Sequence, residues 1–514
     1  MAPTDPKISS AVAAVSSPVV PLWKDNGLRT LIFWVSWIMA AQMVSGYDQV
    51  VTSSFQSMKP WLEAMENPSS SMLGLITASL YMGGFAGSLF AALPADRFGR
   101  RVVLQVGQFL ELVGSILQAA APGRNIFIAG RVLVGIGMSF STVAGPSLLA
   151  ELLPPRLRGK IAPSYNALWY VGSIIASWLT FGTGHLNTHW SWRIPSIVQS
   201  ILPFIIMIGV SFMPESPRWL YSKGRHDEAR ALFVKYHANG NSADALVTVE
   251  MDEVAAALAQ DTQETTSWAS LIKTKANRRR VFICIVIPVA TLWNGQGVIT
   301  YYFTQMLDSV GITSTNAQTG INGGMSIWNL LWAIFGIVLT DKIGRRPLWL
   351  TSFVGMAFAN VPLTIASAMY KKYGSTSAAY ASVVFMFLYN SAFNIGCNPL
   401  PYSYAPEILP YSIRAKGMAL LFFVSEGALV VNQYVNPIAM ASIGYWYYVF
   451  YLGMLFLFIG IIYFTFPETR GYSLEELGVL FEDGFEARPK KSLVVLTGEE
   501  IEVVESADKD KEKI

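Results

Sequence analysis

The sequence DRFGRR at residues 96–101 returns as DKIGRR at residues 341–346. A second signature follows each copy and pairs a glutamate with an arginine seven residues later: Glu151 with Arg158, and Glu407 with Arg414. Each signature comes directly after a long apolar stretch. Two charged signatures repeated in the same order predict a chain that is built from two equivalent halves.

The apolar stretches around these signatures have the composition of membrane spans. Of the 514 residues, 52% are hydrophobic and 14% are charged, whereas soluble domains carry about 25% charged residues. An apolar window of about 20 residues crosses a bilayer as a helix. Twelve such windows occur, at residues 29–50, 73–94, 103–121, 126–149, 161–183, 193–213, 279–305, 319–340, 347–368, 378–405, 414–438 and 442–466. We therefore predict an all-α membrane protein with twelve transmembrane helices in two pseudo-symmetric six-helix bundles.

The spans divide the chain into five predicted segments. These are a cytoplasmic disordered tail (1–28), an N-terminal six-helix bundle (29–213), a cytoplasmic loop with short amphipathic helices (214–278), a C-terminal six-helix bundle (279–466) and a cytoplasmic tail (467–514). The loop carries helical patterns such as DEARALFVKYH. The end of the second tail is charged, and we expect it to be disordered.

Lysine and arginine predict the orientation in the membrane. The loops that carry the repeated signatures are rich in arginine, and the long loop ends in Arg278, Arg279 and Arg280. The loops on the other side hold few basic residues. By the positive-inside rule, both termini and the long loop lie in the cytoplasm. No cleavable signal precedes the first span, and we expect a multi-pass protein of the plasma membrane.

Several motifs carry a resemblance to a known family. They are Gly130-Arg131 with Gly135 and Gly137, the two repeated signatures, PESPRWL at 214–220 and PETRGYSLEEL at 467–477. With these motifs the chain resembles the sugar-porter family of the major facilitator superfamily over nearly its whole length. Within the family it is most similar to fungal lactose permeases and cellodextrin transporters, in YNALWYVG at 165–172, SWRIPSIVQ at 191–199, IRAKGMA at 413–419 and NQYVNPIA at 432–439. The resemblance implies a major facilitator fold and proton-coupled alternating access, with a disaccharide or glycoside as cargo.

Asp48 is the one ionisable side chain in the apolar sequence at residues 31–51. A carboxylate near the middle of a bilayer costs about 3 kcal/mol unless it is paired or neutralised. Asp48 and Arg131 are the only ionisable candidates that we identify in the first six spans away from the helix ends. The resemblance implies that they form the acid–arginine pair of proton symporters, in which making and breaking the pair loads and releases a proton. The alternatives are a static structural pair, or an acid that caps its helix at the aqueous boundary.

The repeated signatures predict a cytoplasmic gate. Carboxylates and guanidinium groups at neighbouring helix ends can pair when those ends approach, and they must separate for the inner side to open. The predicted gate residues are Asp96, Arg97, Arg100, Glu151, Arg158, Asp341, Arg345, Glu407 and Arg414. The alternative is that these arginines only set the topology.

Neutral amides and aromatic rings are predicted to bind the substrate. Sugar hydroxyls favour amides, which both donate and accept hydrogen bonds, beside a flat aromatic face. From the positions that contact sugar in the family, the resemblance implies nine binding residues: Asn166, Gln296, Tyr301, Tyr302, Asn329, Asn394, Tyr402, Asn432 and Asn436. The alternative for each amide is a packing hydrogen bond between helices, worth about 0.6 kcal/mol. We expect about half of these amides to line the cavity.

The seventh span departs from the family pattern. Its sequence TLWNGQGVITYY keeps the paired tyrosines, but Thr291 and Leu292 stand where the family has two glutamines. Gln296 carries an amide one position away from the family's asparagine. The loss of two amides makes an ordinary hexose a less suitable cargo and favours a larger or less polar one.

Other classes of protein find little support. No nucleotide-binding loop, nucleophile with its base or metal-ligand cluster is visible, so we predict neither an enzyme nor a metal site. A net charge of +3 does not indicate nucleic acid. The expected partners are a small-molecule sugar and the lipid bilayer, with a monomeric protein, no cofactor and the proton as coupling ion.

Two alternatives to a sugar symporter stay open. One is export or import of a non-sugar metabolite on the same scaffold, and the other is a sugar sensor that does not transport. Glu426 in the eleventh span is a further intramembrane acid. It is interpreted either as a second coupling group or as the partner of a neighbouring helix.

Overall fold

The structure is a computed structural model that describes residues 25–263, 268–470, 481, 492–497 and 500–505. Within the helices it leaves out some side chains, including those of the predicted site residues Arg158, Asp341 and Tyr402. The two predicted tails lie largely outside the described residues.

The first half of the chain forms six long helices and one short one. They are α1 (Asn26–Phe55), α2 (Lys59–Ala64), α3 (Ser70–Phe98), α4 (Arg100–Ala120), α5 (Arg124–Leu152), α6 (Pro155–Thr183) and α7 (Trp190–Phe212). Asp25 caps α1, since its side chain accepts a hydrogen bond from the backbone N–H of Leu28 at 2.9 Å. Glycine at crossing points brings the long helices together: a Cβ at Gly46 would lie 1.9 Å from the Trp169 carbonyl oxygen, so α1 and α6 touch backbone to backbone.

Four short helices connect the halves. They are α8 (Pro217–Ser222), α9 (His226–Tyr236), α10 (Ala245–Gln263) and α11 (Ser270–Lys273). They lie where α1 begins and where α5 ends. The backbone N–H of Gly27 donates to Asn239 at 3.1 Å, and the His237 ring contacts the Leu152 carbonyl at 3.0 Å. We call this side of the molecule the terminal face and the other side the distal face.

The second half repeats the pattern of the first. Its helices are α12 (Lys275–Leu292), α13 (Gln296–Tyr301), α14 (Phe303–Ser309), α15 (Thr315–Ile343), α16 (Arg345–Tyr373), α17 (Thr376–Gly396), α18 (Leu400–Ile408), α19 (Tyr411–Ile443) and α20 (Trp446–Thr465). Two antiparallel strands, β1 (Ser492–Thr497) and β2 (Glu500–Glu505), follow in the tail.

Ten helices within the described residues are long and apolar enough to cross a membrane: α1, α3, α4, α5, α7, α15, α16, α17, α19 and α20. The less apolar α6 and the interrupted series α12–α14 complete the twelve crossings. The fold is thus an all-helical membrane protein of two six-helix bundles, as predicted.

Local structure differs from the prediction in three places. The seventh span is broken at Gly295, whose φ of +100° is left-handed and suits a residue without a Cβ. The tenth is broken before Leu400, at Pro399, since proline disfavours helical backbone in the residue that precedes it. The tail that we expected to be disordered contains the pair β1–β2, whose sequences SLVVLT and EIEVVE are rich in the β-branched residues that favour strands.

The element bounds also differ slightly from the predicted segments. α1 begins at Asn26, inside the predicted tail, and α12 begins at Lys275, inside the predicted loop. The halves pack against each other along α3 with α19 and along α6 with α15. The space between these two contacts holds the candidate site.

Candidate functional site

A polar cavity lies between the two halves. Its volume is about 270 Å³, close to the lower end of the usual range for small-molecule sites. Residues of both halves line it, from α1, α3, α5 and α6 on one side and from α12 and later helices on the other. Most polar groups in the wall are amides and tyrosine hydroxyls, which suit a neutral ligand with many hydroxyl groups.

Five of the nine predicted binding residues line this cavity: Asn166, Gln296, Tyr301, Asn329 and Asn432. The other described members lie behind the wall. Asn394 donates to Asn329 at 3.2 Å and accepts from the Tyr170 hydroxyl at 2.6 Å. Asn436 donates to Asn432 at 2.9 Å, and the Tyr302 hydroxyl donates to the Gln433 carbonyl.

The sequence analysis missed several amides of the wall: Gln42, Gln49, Asn322, Asn390 and Asn398. A helical spacing signal was present for each of them. Gln42 and Gln49 are seven residues apart, as are Asn322 and Asn329, and asparagines recur every four residues from position 390 to 398. Residues four or seven apart share one face of a helix. Amide periodicity within apolar spans therefore points to a cavity face.

The break in the seventh span positions Gln296. Its side chain donates to Asn390 at 2.5 Å and to the Thr300 hydroxyl at 3.0 Å, so it joins α13 to α17. Thr291 and Leu292, which replace the family's glutamines, also line the cavity. The Thr291 hydroxyl already donates a hydrogen bond to the Ile287 carbonyl at 2.9 Å. This part of the wall therefore presents less hydrogen-bonding capacity than two glutamines would.

Asp48 lies beside the cavity and is buried, with 1% of its surface exposed. Its neighbour Gln49 is part of the wall. Among the described residues, neither carboxylate oxygen of Asp48 has a partner at hydrogen-bond distance, although the Gln199 side chain of α7 lies close enough to interact with it. The Arg131 guanidinium instead donates to the Thr52 hydroxyl, one helical turn further along α1. The predicted pair is thus close in space but is not joined by a hydrogen bond in this conformation.

Glu111 corrects the expectation that Asp48 and Arg131 are the only ionisable groups in the first six spans. It lies in the middle of α4, fully buried, and accepts hydrogen bonds at 2.9 Å from both Gln108 and Ser141. The signal was present, because the sequence FLELVG places one glutamate in an apolar window. Since both carboxylate oxygens are hydrogen-bonded, Glu111 holds α4 against α5.

Glu426 on α19 lines the cavity itself. Its Oε2 atom is buried and has no hydrogen-bond partner among the described residues. It faces α3, where a Cβ at Gly84 would lie 3.0 Å from this oxygen.

The predicted gate residues of the first half form a network at the terminal face. Arg100 lies 3.2 Å from Asp96 and 3.6 Å from Glu151. Glu215 accepts from the backbone N–H groups of Arg100 and Arg101, each at 3.1 Å. Burial raises the pKa of Glu215, although these hydrogen bonds oppose that effect.

The second half repeats this network. Arg345 lies 2.9 Å from Glu407, and Glu468 accepts from the backbone N–H groups of Arg345 and Arg346 at 2.9 and 3.0 Å. The sequence analysis treated PESP and PETR only as family motifs and missed Glu215 and Glu468 as members of these networks. Within the described residues, the contacts of both networks join helices of the same half.

Two further described gate residues, Arg97 and Arg414, contact residues close to them in sequence. The Arg97 guanidinium lies 5.3 Å from the centre of the Phe98 ring, and Arg414 donates to the Leu409 carbonyl at 3.1 and 3.2 Å.

A known family matches most of the chain. The family described as "Sugar (and other) transporter" matches residues 34–481. The chain belongs to this family. It is therefore a transporter and not an enzyme, and a multi-pass membrane protein, as predicted.

Curated relatives of this transporter are similar over most of their length. The MFS-type transporter criB of Aspergillus cristatus is 29% identical, covering 85% of this chain and 90% of the relative. High-affinity glucose transporter 1 of Candida albicans is 26% identical over 88% and 86%, and sugar transporter STL1 of Saccharomyces cerevisiae is 27% identical over 90% and 83%. Two of these three relatives are named for sugar or glucose transport, and none is named as a lactose or cellodextrin carrier.

Solved structures agree with the fold. The inward open conformation of the xylose transporter XylE from E. coli has a TM-score of 0.73 and 22% identity, covering 88% of this transporter and 99% of XylE. This likeness confirms the predicted major facilitator fold.

Proposed function

We propose that this transporter moves a neutral sugar across the membrane by proton-coupled alternating access. The observation that carries the proposal is the cavity between the two halves, whose wall is made of amides and tyrosine hydroxyls from both. Alternating access places the binding site at the interface of two repeats that rock against each other. A site lined by both halves changes its exposure when they move.

The proposed coupling groups are Asp48 and Arg131. Asp48 is buried beside the cavity and lacks a hydrogen-bond partner among the described residues. A buried carboxylate without a partner favours the protonated form, and an approaching guanidinium favours the ionised form. Movement of α5 relative to α1 would therefore bind and release a proton.

The hydrogen bonds between the halves support an inward-facing conformation. They cluster towards the distal face, where Asn322 donates to Ser54 at 3.1 Å and Thr304 donates to the Ser53 carbonyl at 2.9 Å. The terminal face carries the basic loops, so we place it in the cytoplasm. We also propose that the protein is a monomer in the plasma membrane. Distal closure then leaves the cavity accessible from the cytoplasm.

The narrower proposal for the cargo is a disaccharide or glycoside. Its support is the wall at Thr291 and Leu292, which offers little hydrogen bonding to a small hexose. Two similar proteins are named as transporters of glucose and of xylose, so both monosaccharides are included in the test.

Uptake in cells that lack their own sugar carriers tests the proposal. Labelled glucose, xylose, lactose and cellobiose are offered at acidic and neutral external pH to cells with the wild-type protein, Asp48→Asn or Glu111→Gln. We expect acid-stimulated accumulation of at least one sugar by the wild type. Asp48→Asn should abolish accumulation of the sugar against its gradient but still let the sugar equilibrate down its gradient. Glu111→Gln is the comparison variant: this acid lies close enough to Asp48 to interact electrostatically but already has two hydrogen-bond partners, so it should keep the acid stimulation.

Two outcomes contradict parts of this proposal. If Asp48→Asn still accumulates sugar in response to acid, Asp48 is not the coupling group. If no sugar enters the cells although the protein reaches the membrane, the cargo is a different metabolite or the protein senses sugar without transport.

A further inference from the structure

Glu426 is a carboxylate in the wall of a cavity that otherwise presents neutral groups. Among the described residues that line the cavity, it is the one with a carboxyl group, and none is a lysine, arginine or histidine. Its Oε2 is buried and unpartnered within the described part of the chain. A buried polar atom without a hydrogen bond is costly, and more so when it is charged.

The nearby hydrogen-bond donors are already engaged elsewhere. Tyr81, which lies close enough to Glu426 to interact electrostatically, directs its hydroxyl at Gln49 over 3.4 Å. The Tyr301 hydroxyl donates to the same Gln49 oxygen at 3.2 Å. Each of these neighbours of the cavity thus has an acceptor other than Glu426.

The backbone leaves room for this carboxylate. α3 packs along α19, with the rings of Phe85 and Phe423 4.9 Å apart. At Gly84 the absence of a side chain gives the Oε2 atom its space, because a Cβ there would lie 3.0 Å away. The acid is therefore held at the contact between the halves, with Oε2 turned towards α3. The half-buried side chain lines the cavity, and its other oxygen, Oε1, is the one available to whatever occupies the cavity.

We infer that Glu426 is a specificity-determining residue, which accepts hydrogen bonds from hydroxyl groups of the cargo and excludes cargo that carries a carboxylate. This inference rests on the proposed function, since it concerns the same cavity. Unlike the fully buried Asp48, Glu426 is half-buried and reaches the cavity, where solvent stabilises its ionised form. A hydroxyl-rich neutral sugar donates to the oxygen that faces the cavity, and a hydrogen bond to a charged acceptor is stronger than one between neutral groups. A sugar acid brings a second negative charge into a cavity wall that offers no basic side chain, so it is repelled.

Binding and uptake of matched neutral and anionic sugars test this inference. The probes are glucose and cellobiose, with glucuronate and cellobionate as their anionic counterparts, at pH 7. Calorimetry on the purified full-length protein gives affinities, and competition against uptake of the labelled neutral sugar gives the same preference in cells. The variants are Glu426→Gln, which removes the charge, and Glu426→Asp, which keeps the charge on a shorter side chain. Glu228→Gln, an exposed acid on α9, is the control.

We expect the wild type to bind a neutral sugar at least tenfold more tightly than its anion. Glu426→Gln should weaken neutral binding about tenfold, the effect of losing one charged hydrogen bond, and bring the neutral-to-anion ratio near one. Glu426→Asp should weaken neutral binding but keep the preference, which separates a loss of charge from a loss of fold. Glu228→Gln should match the wild type.

The failures of the two proposals are distinct. A wild type that binds and carries neutral sugars, with a Glu426→Gln variant of unchanged preference, overturns the role of Glu426 and leaves sugar transport standing. A wild type that binds the anion as tightly as the neutral sugar also overturns it. A wild type that neither binds nor carries any neutral sugar overturns both.

Discussion

Three carboxylates within the crossings, Asp48, Glu111 and Glu426, have the same chemistry and different surroundings. Glu111 has both oxygens hydrogen-bonded, to Gln108 and Ser141, and so acts as a fixed link between α4 and α5. Asp48 and the Oε2 atom of Glu426 have no such partner within the described residues. An acid in a membrane interior persists against its cost only where it is satisfied or functional. The unsatisfied pair is therefore where we place coupling and selectivity.

Leu292 offers a direct test of the altered wall of the seventh span. It lines the cavity where the family carries a glutamine, so Leu292→Gln restores an amide that can bond sugar hydroxyls. We expect KM for glucose to fall about fivefold, which corresponds to about 1 kcal/mol for one hydrogen bond. Leu292→Met, similar in volume and apolar, is the control and should leave KM unchanged. An unchanged KM in Leu292→Gln would mean that the cargo does not approach this part of the wall.

At this scale the sequence located many residues but not their partners. Asn166, Asn329 and Asn432 were recognisable from the family pattern and do line the cavity. Asn394 and Asn436 have the same residue type and the same kind of helix, yet they support the wall from behind. Each lies four residues after a lining asparagine, Asn390 or Asn432, so residue type and helical spacing alone do not separate the lining role from the supporting one.

Two elements of the terminal face are built alike in the two halves. In each half a glycine with positive φ separates two long helices, Gly99 before α4 at +102° and Gly344 before α16 at +106°. In each half a glutamate that follows the sixth long crossing accepts hydrogen bonds from the first two backbone N–H groups of the helix after this glycine. Glu215 accepts from α4 and Glu468 accepts from α16. A helix N-terminus favours a carboxylate because its N–H groups are unsatisfied and its dipole is positive.

Alanine at these glycines should destabilise the protein to an extent set by the nearest carboxylate. A Cβ would lie 2.3 Å from Glu215 Oε2 at Gly99 and 2.9 Å from Glu468 Oε2 at Gly344, whereas Gly224, with φ +76°, has no atom within 4 Å. Strained backbone alone costs about 1–3 kcal/mol, and displacing a carboxylate adds the loss of its hydrogen bonds. We expect apparent Tm in detergent to fall most for Gly99→Ala, less for Gly344→Ala and least for Gly224→Ala. Equal losses at all three would show that the carboxylate contacts add nothing.

The amino-acid composition predicted which segments form membrane-crossing helices, but it did not predict where two of these helices are interrupted. The twelve apolar windows predicted the crossings because hydrocarbon requires backbone hydrogen bonds to be satisfied within each span. The breaks at Gly295 and Pro399 lie inside windows that remain apolar, so hydropathy alone gives no boundary there. Glycine and proline mark possible breaks, but Pro146 and Pro362 lie within continuous helices. Packing against neighbouring helices determines which of these glycines and prolines interrupts its helix.

The whole molecule is two similar halves joined mainly at α3–α19 and α6–α15. The repeated signatures at residues 96–101 and 341–346 predicted this two-fold plan. They did not predict how the halves meet, because within the described residues the signatures form networks inside one half. The hydrogen bonds between the halves come from other side chains, both small ones such as serine and larger ones such as asparagine, glutamine and tyrosine. Ser173 and Ser177 on α6 meet Ser326 on α15 at 2.9 and 3.1 Å. Small side chains permit such close approach between membrane helices.

A disulfide between the halves should stop transport by preventing their separation. Ser173→Cys with Ser326→Cys replaces two hydroxyls that are 2.9 Å apart and on opposite halves, so a bridge can form with little backbone movement. The native Cys284 and Cys397 are both buried and should contribute little background. We expect oxidation to abolish uptake and reduction to restore it, while the oxidised protein still binds sugar from the terminal face. Gln105→Cys with Ser211→Cys is the control, because it links α4 to α7 within one half, where the native side chains lie 2.8 Å apart. Uptake that continues after complete oxidation of the first pair would contradict movement of α6 against α15, and with it the rocking of one half against the other.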